Sequence, residues 1–215
     1  MTSPSTAGRT NQKLRTRTAI VQAAAELSRT GREVSMPEIA RAALVSEATA
    51  YRYFPDLVSL LREALVGQLP DPAEALAPVA HSDDPVERVA AATEFLLRHV
   101  LARQGVVRAM IAGTVLRPAQ DARPGLRFGL IDYALSPLAD TLGATDPGAL
   151  AQLRRDLAVV VGAEALFSLT DLYGLGPEEA VTSIVHTATT LTRAALPPGP
   201  GAGRPAGRPG RGARG

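Results

Sequence analysis

Between Ser46 and Tyr53 the chain sets hydroxyls at Ser46, Thr49, Tyr51 and Tyr53, a guanidinium fork at Arg52, a carboxylate at Glu47 and a methyl at Ala48. This is chemistry suited to the edge of a base. Glu47 can accept from cytosine N4, Ala48 can touch a thymine methyl, and Arg52 with the hydroxyls can meet bases or phosphates. Reaction chemistry has no such cluster. The three histidines, at 81, 99 and 186, stand far apart, and there is no cysteine. No H-E-x-x-H, P-loop, G-x-S-x-G or dinucleotide fingerprint occurs. The residues predict neither an enzyme nor a cofactor or metal site.

A second set of side chains lies downstream and points to a small molecule. Cavities between bundle helices take small apolar ligands, and Phe95, His99, Arg108, Met110, Thr114, Phe128, Tyr133, Glu164 and Phe167 are the candidate lining. His99 and Met110 also read as core residues. Glu164 sits in the apolar run LAVVVGAEALFSL, where an unpaired carboxylate is costly. It therefore pairs with an Arg or His, meets a ligand cation, or stands on a solvent-facing stripe.

The elements that position the first set are short helices. Ser35 and Glu38 form an S-x-x-E capping box, followed by Met36, Ile39, Ala40 and Ala43 on one face. Ala43-Leu44-Val45 makes the turn. Ser46 caps a helix of about two turns that ends at Tyr53-Phe54, before Pro55. Asp56 caps the next helix, Leu57 to about Gln68, held by Leu57, Leu60, Leu61 and Leu65. A first helix, from about Gln12 to Arg29, precedes them with Ile20, Ala23, Ala24 and Leu27 on its inner face, and Gly31 closes it. This is a helix-turn-helix, whose second member enters a DNA major groove. The residues before it carry Arg9, Lys13, Arg15 and Arg17 without one acid, as an arm reaching phosphates would.

The chain divides by charge. Residues 1–70 carry nine basic and six acidic side chains (+3), residues 71–196 ten and fifteen (−5), and residues 197–215 four and none (+4), for a net +2. A basic front on an acidic body fits a DNA-binding head. The expected segments are a disordered basic arm (1–12), a helix-turn-helix domain (13–69), a Pro/Ala/Asp-rich linker (70–84) in which His81 is a solvated loop residue, a ligand-binding and dimerisation domain (85–196), and a disordered Arg/Gly/Pro tail (197–215). The tail can add salt-sensitive DNA affinity or simply be solvated. No apolar run spans a membrane and no leader precedes the arm, so a cytoplasmic protein is expected.

The body predicts helices throughout. Asp84 caps one that runs from Pro85 to about Gln104, where Gly105 breaks it. VVRAMIAGTVL is apolar nearly all round and reads as a central helix. A helix from about Leu126 to Leu142 is kinked or divided by Pro137. Residues 147–173 read as one long helix with small residues at Ala158, Gly162 and Ala165, ended by Gly174. Pro177 opens the last helix, with Val181, Ile184, Val185, Ala188 and Leu191 on its apolar stripe.

The stretch from Arg17 to Leu65 resembles the N-terminal domain of the tetracycline-repressor (TetR) family of transcriptional regulators. The match rests on Thr18-Ala19-Ile20, Ala23-Ala24, Leu27, Gly31, Ser35-Met36, Ile39-Ala40, Val45-Ser46, Thr49, Tyr51-Arg52-Tyr53-Phe54-Pro55 and Leu60-Leu61. The resemblance implies an all-α regulator with DNA contacts from Arg15, Arg17, Ser35, Ser46, Glu47, Ala48, Thr49, Tyr51, Arg52 and Tyr53. It also implies a homodimer through residues 147–196 on a palindromic operator, and release by a small-molecule effector. Three positions depart from the family pattern. Leu44 stands where Gly is usual in the turn, Ala50 where Leu is usual, and Leu57 where a phosphate-contacting Lys is usual. Two alternatives remain open: a regulator without a small-molecule effector, and a ligand-binding protein whose head no longer binds DNA.

Overall fold

Helix α2 (Met36–Ala42) starts where Ser35 donates both its backbone N–H and its hydroxyl to the Glu38 carboxylate, at 3.0 and 2.8 Å. Those hydrogen bonds hold the Glu38 carboxyl below its ordinary range. It ends in a Schellman turn: the Val45 N–H donates to the Ala40 carbonyl at 2.9 Å and the Leu44 N–H to that of Arg41 at 3.2 Å. That turn requires a left-handed residue, and Leu44 supplies it with φ 56° while its side chain is 92% exposed. A non-glycine residue there costs about 1–2 kcal/mol, of which glycine's larger unfolded entropy would cancel about 0.5–1 kcal/mol. Leu44→Gly is therefore expected to stabilise the domain by about 0.5–1 kcal/mol. A urea midpoint that rises at constant slope checks it; a falling midpoint would mean the exposed leucine makes a contact that matters.

The chain is an all-α molecule with an N-terminal helix-turn-helix unit and a C-terminal helical bundle. The computed structural model describes residues 5–65, 68, 71–115 and 126–197. In the head, α1 (Ser5–Ser28), α2, α3 (Glu47–Tyr53) and α4 (Leu57–Leu65) enclose Ile20, Ala24, Ile39, Ala50, Phe54, Leu60 and Leu61. Helix α1 begins seven residues earlier than the expected Gln12. Gly31, at φ 70°, closes off the turn that follows it. Ala50 is fully buried beside these residues, so the small side chain sits under α3, not on its outer face.

The connection from Asp71 is folded. Asp71 caps α5 (Pro72–Ala75) by accepting from the Ala73 N–H at 2.9 Å, and Leu76 is fully buried in the body core. His81 is exposed, as expected. Asp84 then caps α6 (Pro85–Ala102) through the Val86 N–H at 2.8 Å. The break after α6 falls at Arg103, while Gly105 lies inside α7 (Gln104–Val115). Glycine is required there for space, since a Cβ would stand 2.1 Å from the Arg32 carbonyl oxygen.

Of two further expectations one holds and one is corrected. Pro137 does divide its segment: α8 (Leu126–Ala134) is followed by a short 3₁₀ turn at Ser136–Leu138 and by α9 (Leu142–Thr145). Residues 147–173, however, are not one helix. Helix α10 (Pro147–Val160) stops, Gly162 is extended, and α11 (Ala163–Phe167) and a π-turn at Ser168–Leu172 follow. Three successive valines, Val159 to Val161, are poor helix formers, and Gly162 follows them. The Arg127 guanidinium lies over Gly162, 2.6 Å from where a Cβ would stand. The small-residue stripe is therefore interrupted at its centre. Helix α12 (Pro177–Ala195) lies along α6 and closes both parts of the body core. Of the expected Arg-rich tail (197–215), residues 198–215 lie outside the described residues.

Candidate nucleic-acid interface

Helix α3 is seven residues long and fixed at both ends. The Ser46 hydroxyl accepts from the Thr49 N–H at 3.2 Å, and the Phe54 N–H donates back to the Ala50 carbonyl at 2.9 Å. Asp56 caps α4 by accepting from the Ser59 N–H at 2.8 Å. Ala50 and Phe54 anchor α3 in the core, which leaves Glu47, Ala48, Tyr51 and Arg52 exposed. Tyr51 shows 47% of its surface. Tyr53 is half-buried, with the Arg52 guanidinium 5.7 Å from its ring centroid. Ser35, by contrast, is engaged with Glu38 at the start of α2.

A groove of about 670 Å³ runs between α1 and α3. Gln12, Lys13 and Thr16 line it from α1, and Val45, Ser46, Thr49, Arg52 and Tyr53 from the turn and α3. Among the described residues no carboxylate lines it. Lys13 belongs to the basic stretch that the sequence reading sends to phosphates, whereas Gln12 and Thr16 escape that reading because their nearness to α3 depends on how the helices cross. Arg15 is exposed on α1. Arg17 is committed elsewhere: it chelates the Glu63 carboxylate of α4 and lies 4.9 Å from the Phe54 ring centroid.

Phe95 stacks on His99 with centroids 6.3 Å apart. Arg108 lies 3.8 Å from the Phe167 centroid and donates twice to Asp171, once at 2.8 Å. Those hydrogen bonds raise the Arg108 pKa and push Asp171 down to about 2. Glu164 is paired, with Arg127 Nη1 3.1 Å from its Oε2, and the same guanidinium lies 5.0 Å from the Phe128 centroid. Tyr133 packs against the body core under Arg88. Met110 is buried in the head core. The Thr114 side chain lies outside the described residues.

His99 is half-buried, and burial, reinforced by the Arg103 guanidinium, pushes its imidazole down to about 4. Arg103 Nη1 donates to His99 Nδ1 at 3.2 Å, which fits a neutral ring. The unfolded chain thus binds a proton that the folded one refuses, so stability falls as pH drops from about 6.5 toward about 4. Denaturation midpoints of His99→Gln should lose part of that pH dependence. An unchanged profile assigns it to other groups.

Residues 20–64 match the model of a family described as bacterial regulatory proteins, tetR family. This is a TetR-family DNA-binding domain. The match runs from the middle of α1 to the last turn of α4 and includes the exposed face of α3, and the family so matched is one of bacterial regulatory proteins. No curated protein matches the chain. Among solved structures it is similar to a TetR transcriptional regulator from Rhodococcus sp. RHA1, at 22% identity and a TM-score of 0.52, covering 84% of this chain and 97% of that one. The likeness shows that the TetR-like fold extends beyond the domain match into the body. Among the described residues no helix is long and apolar enough to cross a membrane.

Proposed function

We propose that this TetR-family chain is a ligand-responsive repressor that binds a palindromic operator as a homodimer and leaves it when a small molecule enters the body. The observation that carries the reading is the placement of α7. Its Val106 and Met110 are buried in the head core, while its Val107 and Ile111 pack against the body cluster around Leu166, Phe167 and Ile184. A shift of α7 moves both. Gly105 and Gly113 let α7 come close to the Arg32 backbone and to Val58 of α4. Arg108, on the same helix, reaches Asp171 and Phe167 of the body. An effector that prefers one position of α7 shifts the population of head orientations and so the affinity for DNA.

Dimerisation through residues 147–196 is supported by exposed apolar side chains there: Val159 at 77%, Leu172 at 86% and Tyr173 at 77%. Two heads then meet half-sites about one helical turn, roughly 34–36 Å, apart. Light scattering should give about twice the 22.4 kDa chain mass. The functional test is to recover bound duplex from a random pool, then screen small molecules for release. Binding without release by any compound favours a second reading, a regulator that answers to a protein partner. The pairing of Arg108 with Asp171 and of Glu164 with Arg127, which already partners both charges within the body, is what supports that alternative.

A further inference from the structure

The two exposed flanks of α3 face different surroundings. Ser46, Thr49, Arg52 and Tyr53 recur at three- and four-residue spacing and line the groove shared with α1, together with Lys13 and Thr16. Glu47, Ala48 and Tyr51 fall on the opposite flank of the exposed surface and take no part in that groove. Among the described residues the groove holds two cations and several hydroxyls and no carboxylate, so its chemistry suits a phosphodiester. The other flank holds an acceptor, a methyl and a phenol. A carboxylate is a poor phosphate ligand and a good partner for a cytosine amino group.

We infer that α3 divides its contacts by flank: Lys13 and Arg52, with the Ser46 and Thr49 hydroxyls, seat one backbone phosphate in the α1–α3 groove, while Glu47, Ala48 and Tyr51 read base edges. This rests on the DNA-binding reading above and deepens it.

Each assignment has its own signature in binding. A phosphate contact weakens all duplexes alike and adds about −0.9 to the slope of log affinity against log salt. A base contact changes preference and leaves the slope alone. The full chain, Lys13→Gln and Glu47→Gln are titrated on a selected operator and on random duplex across a salt series, with helical content checked for each. Lys13→Gln should lower affinity equally on both and flatten the slope by about one unit. Glu47→Gln should reduce operator preference by ~5- to 150-fold at an unchanged slope. If Lys13→Gln leaves the slope unchanged, or alters operator preference, the division is overturned while DNA binding stands. A full chain that no duplex retains at low salt overturns the DNA-binding reading itself, and the division with it.

Discussion

Replacing Arg88 by methionine is expected to destabilise the protein by roughly 3–5 kcal/mol, because buried carbonyls lose their donors together. Arg88 is only 4% exposed on α6, and its guanidinium ties three segments. Its Nε donates to the Ala134 carbonyl at 3.1 Å and its Nη2 to that of Tyr133 at 2.8 Å, both at the C-terminus of α8. Longer bonds of 3.4 Å reach the Val79 and Ser82 carbonyls in the connection, and one of 3.3 Å the Ser136 hydroxyl. The planar face lies 5.1 Å from the Tyr133 centroid. Carbonyls at a helix C-terminus favour a cation. Methionine keeps the apolar stem and strands these acceptors. Lysine keeps the charge but cannot place donors in a fork, so Arg88→Lys should recover only part of the loss. Chemical denaturation of both variants decides the matter; a methionine variant within about 1 kcal/mol of the parent would show that water satisfies the carbonyls instead.

Gly105→Ala should be nearly as damaging, at about 3 kcal/mol, the upper end of the usual cost of overpacking. The added methyl would meet the Arg32 carbonyl oxygen at 2.1 Å, its carbon at 2.3 Å and the Glu33 nitrogen at 2.7 Å. These are backbone atoms, so relief needs the loop after α1 to move away from α7. Gly129→Ala is the control. It also lies inside a helix, but its nearest neighbour would be Pro72 Cγ at 3.9 Å. There alanine should stabilise by about 0.5–1 kcal/mol. Equal effects at the two sites would mean that α7 does not bear on the head as described.

The head is the part most legible in the chain. Ser46, Asp56, Asp84 and Gly31 cap or close helices where the sequence expects them, because capping is a contact between near neighbours and is written in local spacing. What the sequence does not show depends on helices crossing. Arg88 reads as an ordinary polar position on α6 until α8 is placed against it. Gly105 reads as a helix breaker until the Arg32 backbone is beside it. Arg17 reads as a phosphate contact until Glu63 is brought within reach. Glu164 is expected to pair, to meet a ligand cation or to stand on a solvent-facing stripe, and the sequence cannot say that Arg127 is its partner. The candidate site was half legible for the same reason: Ser46 and the seven residues of α3 carry the base-edge chemistry in one stretch, whereas Gln12 and Thr16 join it only in three dimensions.

The most direct test of the whole account is selection of duplex DNA by the full chain from a random pool, followed by binding of the recovered sequence to the full chain and to Tyr51→Ala. The account predicts a shared palindrome with half-sites roughly one helical turn apart. It also predicts weaker binding by Tyr51→Ala at unchanged helical content, since Tyr51 is exposed on α3 and holds no place in the core. A recovered pool with no common sequence, or a Tyr51→Ala variant that binds the recovered duplex as tightly as the parent, would contradict it.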